Sequence, residues 1–195
     1  MVKNMRKLAI STVLSLTVLT SFAMPKFLGG ISSIAYAAST ETLSDEPIEE
    51  GVYQIVSASC YKNLDVEVFG NNENGAQVQI YHTNGTSAQI WRIKKEKFGW
   101  YKIISLRSAE NRCLDIENSN INNCSKIQIY DDNGSAAQRW KFLKNKDGSY
   151  IIVSKLSDNL KVLDVSLGKC EDRNKVWLHE YNGTVAQNWI LVKVG

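Results

Sequence analysis

Ala88-Gln89-Ile90-Trp91, Ala137-Gln138-Arg139-Trp140 and Ala186-Gln187-Asn188-Trp189 are one motif written three times, 49 residues apart at each step. A period of this length marks a supersecondary unit used repeatedly, each copy unable to bury its apolar face alone. Other landmarks keep the same register. Asn63-Leu64-Asp65-Val66 returns as Cys113-Leu114-Asp115-Ile116 and Val162-Leu163-Asp164-Val165. Val78-Gln79-Ile80-Tyr81 returns as Ile127-Gln128-Ile129-Tyr130, and in altered form as Val176-Trp177-Leu178-His179. Asn84-Gly85-Thr86 returns as Asn133-Gly134-Ser135 and Asn182-Gly183-Thr184. Trp100 and Trp177 stand outside the repeated series.

No stretch after residue 50 carries a helical period. Short runs rich in Val, Ile, Tyr and Trp alternate with Asn, Gly, Asp and Ser, the signal of an all-β chain. Four strands are predicted per unit: near 51–56, 62–68, 77–81 and 88–94; near 99–106, 111–117, 126–130 and 137–143; and near 148–154, 160–165, 175–181 and 187–192. Within a strand successive side chains point to opposite faces. Asp65, Asp115 and Asp164 are therefore predicted on the face away from their flanking Leu, Val and Ile neighbours, with Gln79/Tyr81 and Gln128/Tyr130 sharing a face in the next strand. Asn84, Asn133 and Asn182, like Asn123, also head N-x-Ser/Thr sequons. Three of them fall at the same turn, so the pattern reads as turn chemistry ahead of glycosylation.

The first 37 residues have the form of a secretory signal: Lys3, Arg6 and Lys7, an apolar run from Leu8 to Met24, then Ala35-Tyr36-Ala37. That run is broken by Ser and Thr and ends at Pro25-Lys26, short for a membrane span. Residues 38–50, acidic and poor in apolar side chains, read as a disordered leader. The rest, 51–195, is long enough for one domain with its own core. Four of the 23 Lys and Arg lie in the signal, which leaves 19 basic against 20 acidic residues and a net charge of −1. A near-neutral chain argues against a nucleic-acid partner. Cys113 and Cys124, 11 residues apart in one unit, are the pair expected to bridge, with the partners of Cys60 and Cys170 left open. No C-x-x-C occurs and His82 and His179 are the only histidines, so no metal site is expected.

The three Gln-x-Trp repeats, the three Leu-Asp-hydrophobic segments and the two Gln-Ile-Tyr segments together resemble a ricin B-type lectin domain, in a secreted, bacterial-like form. The resemblance covers residues 51–195 and implies a β-trefoil of three four-stranded repeats with pseudo-threefold symmetry, about 51–97, 98–146 and 147–195. It implies that the repeated Trp packs in a shared core, that its Gln braces a binding loop, and that each unit can carry one shallow sugar site. By motif the first site takes Asp65, Gln79, Tyr81, Asn84 and Gln89; the second Asp115, Gln128, Tyr130, Asn133 and Gln138; the third Asp164, His179, Asn182 and Gln187. The residue before the Gln, often Asn in plant members, is Ala88, Ala137 and Ala186 here.

These residue types suit a sugar. A carboxylate accepts two vicinal hydroxyls through charge-assisted bonds. A ring packs on the C–H face, and amides supply donors. The function expected is that of a secreted lectin with two or three sites for galactose-type or xylose/arabinose-type glycans. The alternatives are the accessory or targeting subunit of a toxin or enzyme chain, and a β-trefoil protease inhibitor. No Ser-His-Asp set and no close acid pair occurs, so no enzyme, no cofactor and no membrane insertion are expected.

Overall fold

The computed structural model describes residues 43–67, 74–107, 112–157 and 161–194. The expected signal, 1–37, and the start of the expected leader lie outside the described residues. Twelve strands follow in order: β1 Gly51–Ser57, β2 Asn63–Val66, β3 Ala76–Tyr81, β4 Trp91–Lys95, β5 Tyr101–Ser105, β6 Arg112–Ile116, β7 Ser125–Asp131, β8 Trp140–Lys144, β9 Tyr150–Ser154, β10 Lys161–Val165, β11 Asn174–Glu180 and β12 Asn188–Lys193.

Their pairing closes a ring. β1 pairs β4, β4 pairs β5, β5 pairs β8, β8 pairs β9, β9 pairs β12 and β12 returns to β1, all antiparallel. The remaining strands form three hairpins, β2–β3, β6–β7 and β10–β11. These hairpins join one another through β3–β7, β7–β11 and β11–β3. A six-stranded barrel capped by a triangle of hairpins is the β-trefoil, and closure removes the free edges that an open sheet would expose.

The repeated tryptophans explain how barrel and cap are joined. Trp91, Trp140 and Trp189 are fully buried in one core with Leu64, Leu114 and Leu163. Each indole Nε1 donates to the carbonyl of one of those leucines, at 2.9, 3.0 and 3.1 Å. The buried indole N–H thus has its partner. Each of those leucines immediately precedes an aspartate, so the core residue of a barrel strand fixes the cap strand that carries the carboxylate.

Three expectations are corrected. The strands were expected to begin at Ala88, Ala137 and Gln187, but Ser87–Gln89, Ala136–Gln138 and Val185–Gln187 are short 3-10 turns that precede the strand of the Trp. The turn is needed because each Gln side chain reaches back to a backbone carbonyl seven residues earlier: His82, Asp131 and Glu180. Second, the described part of the expected leader, 43–50, is seated on the barrel. Ile48 is buried, its backbone N–H donates to the Tyr101 hydroxyl at 2.8 Å, and Ser44 bridges Lys144. The acids that look solvated in sequence meet barrel lysines: Asp45 with Lys141, Glu46 with Lys144 and Glu49 with Lys193.

Third, Cys113 and Cys124 are not bridged. Cys60 and Cys170 are, with Cα atoms 5.2 Å apart and 110 residues between them in sequence. Cys113 lies on β6 with its side chain buried, whereas Cys124 sits exposed on a turn residue with φ 66°. Nearness in sequence does not bring those two sulfurs together.

Candidate functional site

Each cap hairpin places one carboxylate opposite one N–H donor. On β2 and β3, Asp65 faces Gln79; on β6 and β7, Asp115 faces Gln128; on β10 and β11, Asp164 faces Trp177. The Gln79 and Gln128 amides each donate to an aspartate Oδ1 at 2.9 Å. In the third unit the Trp177 indole Nε1 donates to Asp164 Oδ1 at 2.7 Å. The tryptophan at the glutamine position therefore supplies the same bond from a different group.

The aspartates do lie opposite their apolar neighbours, but not on an open surface: all three are at most 5% exposed. Burial raises the pKa of each carboxyl above its ordinary value, opposed by the Gln79, Gln128 or Trp177 donor. Asp65 Oδ2 is a buried acceptor with no partner among the described residues.

The other expected site residues divide into two groups. Gln89, Gln138 and Gln187 are fully buried and do not reach the surface. Their Oε1 atoms accept the backbone N–H of Asn84, Asn133 and Asn182 at 3.0, 3.0 and 2.8 Å, and their amides hold the carbonyls named above. What they do is brace the loop, and their side chains face no open surface. The three asparagines head that loop. Asn84 and Asn182 each accept both the N–H and the hydroxyl of the threonine two residues on, and Asn133 accepts the Ser135 N–H. This is turn chemistry. The glycines that follow have φ of 70°, 74° and 71°; a Cβ would meet open space at Gly85 and Gly134 and only an ordinary contact with the Tyr181 hydroxyl at Gly183, so conformation demands them.

Asp115 lies in an open pocket of about 230 Å³ with Gln128, Tyr130 and Asn133, bounded by Asn118 and Ser119. Asp164 lies in a larger one of about 360 Å³ with Trp177, His179 and Asn182, bounded by Leu167 and Val185. The His179 ring stacks on Trp177, centroids 5.9 Å apart and planes 30° apart, and its Nδ1–H donates to the Glu180 carbonyl. In the first unit Tyr81 is half-buried, its ring 4.4 Å from that of His82. The stretch equivalent to 118–119 and 167–168 falls within 68–73 there, outside the described residues. The rim residues Asn118 and Leu167, three positions after their aspartates, were missed by motif reading. Aligning the units from each Asp forward would have found them.

Among the described residues there is no cluster of His, Cys, Asp and Glu suited to a metal ion, and no helix is long and apolar enough to cross a membrane.

The family profile described as "Ricin-type beta-trefoil lectin domain-like" matches residues 87–179. No curated protein shows significant similarity to the chain. Among solved structures, the designed threefold-symmetric protein ThreeFoil is 30% identical with a TM-score of 0.69, over 74% of this chain and 99% of that one. An exo-β-1,3-galactanase from Clostridium thermocellum is also 30% identical with a TM-score of 0.69, but the match spans 77% of this chain and only 32% of the galactanase. The Macrolepiota procera ricin B-like lectin, solved with lactose, shares the fold at 15% identity and a TM-score of 0.63, over 76% of this chain and all of that one.

Proposed function

The chain belongs to the ricin-type β-trefoil lectin-like family, and from that premise we propose that it is an exported carbohydrate-binding protein that recognises glycans through Asp65, Asp115 and Asp164. The observation that carries this reading is the repeated pairing of a sheltered carboxylate with one N–H donor. That donor occupies Oδ1 and orients the group, and Asp115 and Asp164 line open pockets that hydroxyls can enter. Tyr81, Tyr130, and Trp177 with His179, offer the ring faces, and Asn133 and Asn182 stand at the pocket edges. Galactose-type and xylose- or arabinose-type sugars fit this chemistry. Export is supported by the form of residues 1–37 and by the disulfide.

The role is binding: the three carboxylates belong to separate units, and among the described residues each is paired with an N–H donor and not with a second acid. A partnership with a separate enzyme or toxin chain is a second reading. It is favoured by the galactanase, in which a comparable trefoil is about a third of a longer chain.

A site with one carboxylate and one ring holds a monosaccharide weakly, on the order of millimolar. Sites in different units of one rigid trefoil gain affinity together on a branched or polymeric glycan, by about 10²–10⁴-fold. The test is retention on immobilised glycan of wild type and of the Asp65→Asn/Asp115→Asn/Asp164→Asn variant. The triple variant should melt as a folded protein and lose retention. Retention equal to wild type would move the sugar sites elsewhere.

A further inference from the structure

The third pocket differs from the second in one consistent direction. Trp177 stands where the second unit has Gln128, Leu167 where it has Asn118, and Val185 where it has Ala136. Each replacement adds apolar surface beside the carboxylate, and the pocket is the larger of the two. The polar function is nonetheless retained, because the Trp177 indole holds Asp164 Oδ1 as Gln128 holds Asp115.

Leu167 is the most informative of these residues. It has φ 55° and is 73% exposed on the pocket rim. Its counterpart Asn118 has φ 53°, a left-handed conformation that asparagine tolerates and leucine resists. Val185, opposite on the rim, is 54% exposed. Two exposed aliphatic side chains, one of them in a costly backbone conformation, flank a pocket that already has an aromatic wall and a carboxylate. Neither is explained by packing. Exposed Tyr61 and Phe98 share this left-handed backbone, so it is the place of Leu167 on the pocket rim, and not its conformation, that points to a role with ligand.

We propose that the third site has diverged from the second to take a pyranose that carries a methyl-ended substituent, an acetamido group or a 6-deoxy carbon, beside a vicinal diol. The proposal rests on the sugar-binding reading above and sharpens it for one site. The diol binds Asp164, the ring's C–H face lies on Trp177, and the methyl reaches Leu167 and Val185. A hexose with hydroxyls alone sets a polar edge against those two side chains and gains nothing from them. Burying one methyl favours the substituted sugar by about fourfold, the equivalent of about 0.8 kcal/mol. Leu167 and Trp177 are then the residues that determine specificity.

The experiment is calorimetric titration of the full chain with galactose, N-acetylgalactosamine and 6-deoxygalactose. It compares wild type, Asp65→Asn/Asp115→Asn, and Leu167→Asn/Trp177→Gln. The first variant should still bind, preferring at least one methyl-bearing sugar to galactose by about fourfold or more. The sugar that shows the preference separates the acetamido source from the 6-deoxy source. The second variant should lose that preference. If Asp65→Asn/Asp115→Asn binds galactose as well as the substituted sugars, or binds nothing while wild type binds galactose, the third site is not what is proposed. If wild type binds none of the sugars and no immobilised glycan, the sugar-binding reading itself fails. Should the paired aspartate variant unfold, the wild-type indole N–H resonance of Trp177, assigned by its loss in Trp177→Phe, decides. It should shift at about fourfold lower concentration of the methyl-bearing sugar than of galactose. Equal response to both, or no shift while other resonances respond, overturns the proposal.

Discussion

A carboxylate that is buried yet must stay ionised to accept hydroxyls ties binding to pH. Burial raises the pKa of Asp65, Asp115 and Asp164 above 3.8, so their protonation comes earlier on acidification than for an exposed Asp. Asp172 is the opposite case: hydrogen bonds from Lys62 and His82 hold it down at about 2. The consequences for stability have opposite signs. For the three raised groups the folded state takes up the proton before the unfolded chain does. Their ionised forms cost stability above the folded pKa, and that cost is relieved as pH falls. Asp172 contributes stability above its unfolded value, and the contribution is lost as pH falls toward about 2. Mild acid should therefore release glycan while the fold persists. Affinity and melting temperature followed together from neutral pH downward check this, and a coincident loss of both would refute it. The buried tryptophans carry a separate expectation. Trp140→Ala removes a filled core position and its bond to the Leu114 carbonyl, and should cost about 3–5 kcal/mol in a urea melt. A loss below about 1 kcal/mol would refute the core role. The identity of these residues was legible in sequence because they recur. The burial of the aspartates was not, since alternation tells which face a side chain takes and not what covers that face. Nor does the letter for tryptophan disclose that its N–H replaces a glutamine amide.

Among elements, the hairpin strands were the most legible, because their period-two pattern is a local property and the Asn-Gly turns that follow β3, β7 and β11 mark where they end. The stretch before each repeated Trp was misread as strand, since its bend serves a bond from Gln to a carbonyl seven residues back. Residues 43–50 were misread from composition. Their acids are matched by lysines 96, 98 and 144 residues onward, at 141, 144 and 193, a complementarity with no local trace. The two exposed pairs, Glu46 with Lys144 and Glu49 with Lys193, add little each. The larger contribution comes from Ile48, buried against the core and held through its backbone by Tyr101. Ile48→Ala should destabilise the protein by about 2–5 kcal/mol. Removing Glu46 or Glu49 should leave the urea melt almost unchanged, whereas removing Asp45 leaves the buried Lys141 without this partner and should be felt more. A urea melt of Ile48→Ala indistinguishable from wild type would show that the segment only rests on the barrel.

Across the whole molecule, three similar units must be closed into one ring, and closure is where the units cease to be equivalent. The seam lies between the first and last strands: β1 pairs β12 from Tyr53↔Lys193 to Ser57↔Trp189. The covalent link joins the same two units, Cys60 to Cys170, and Asp172 adds an ionic one, reaching Lys62 and His82. A bridge over 110 residues constrains the unfolded chain far more than one over 11 would, which is why its loss should be felt globally. Cys60→Ser/Cys170→Ser should lower stability by about 2–4 kcal/mol, and reductant should do the same to wild type and nothing to the variant. The remaining thiols report the same arrangement. Cys124 is exposed, whereas burial pushes the Cys113 thiol up to about 12. A thiol reagent should therefore modify Cys124 alone in the native protein, and Cys113 only after unfolding. Disulfide-linked peptides containing Cys113 and Cys124, or a variant as stable as wild type, would mean that the ring is not sealed at this seam. Its closure would then rest on the β1–β12 pairing and the shared tryptophan core alone.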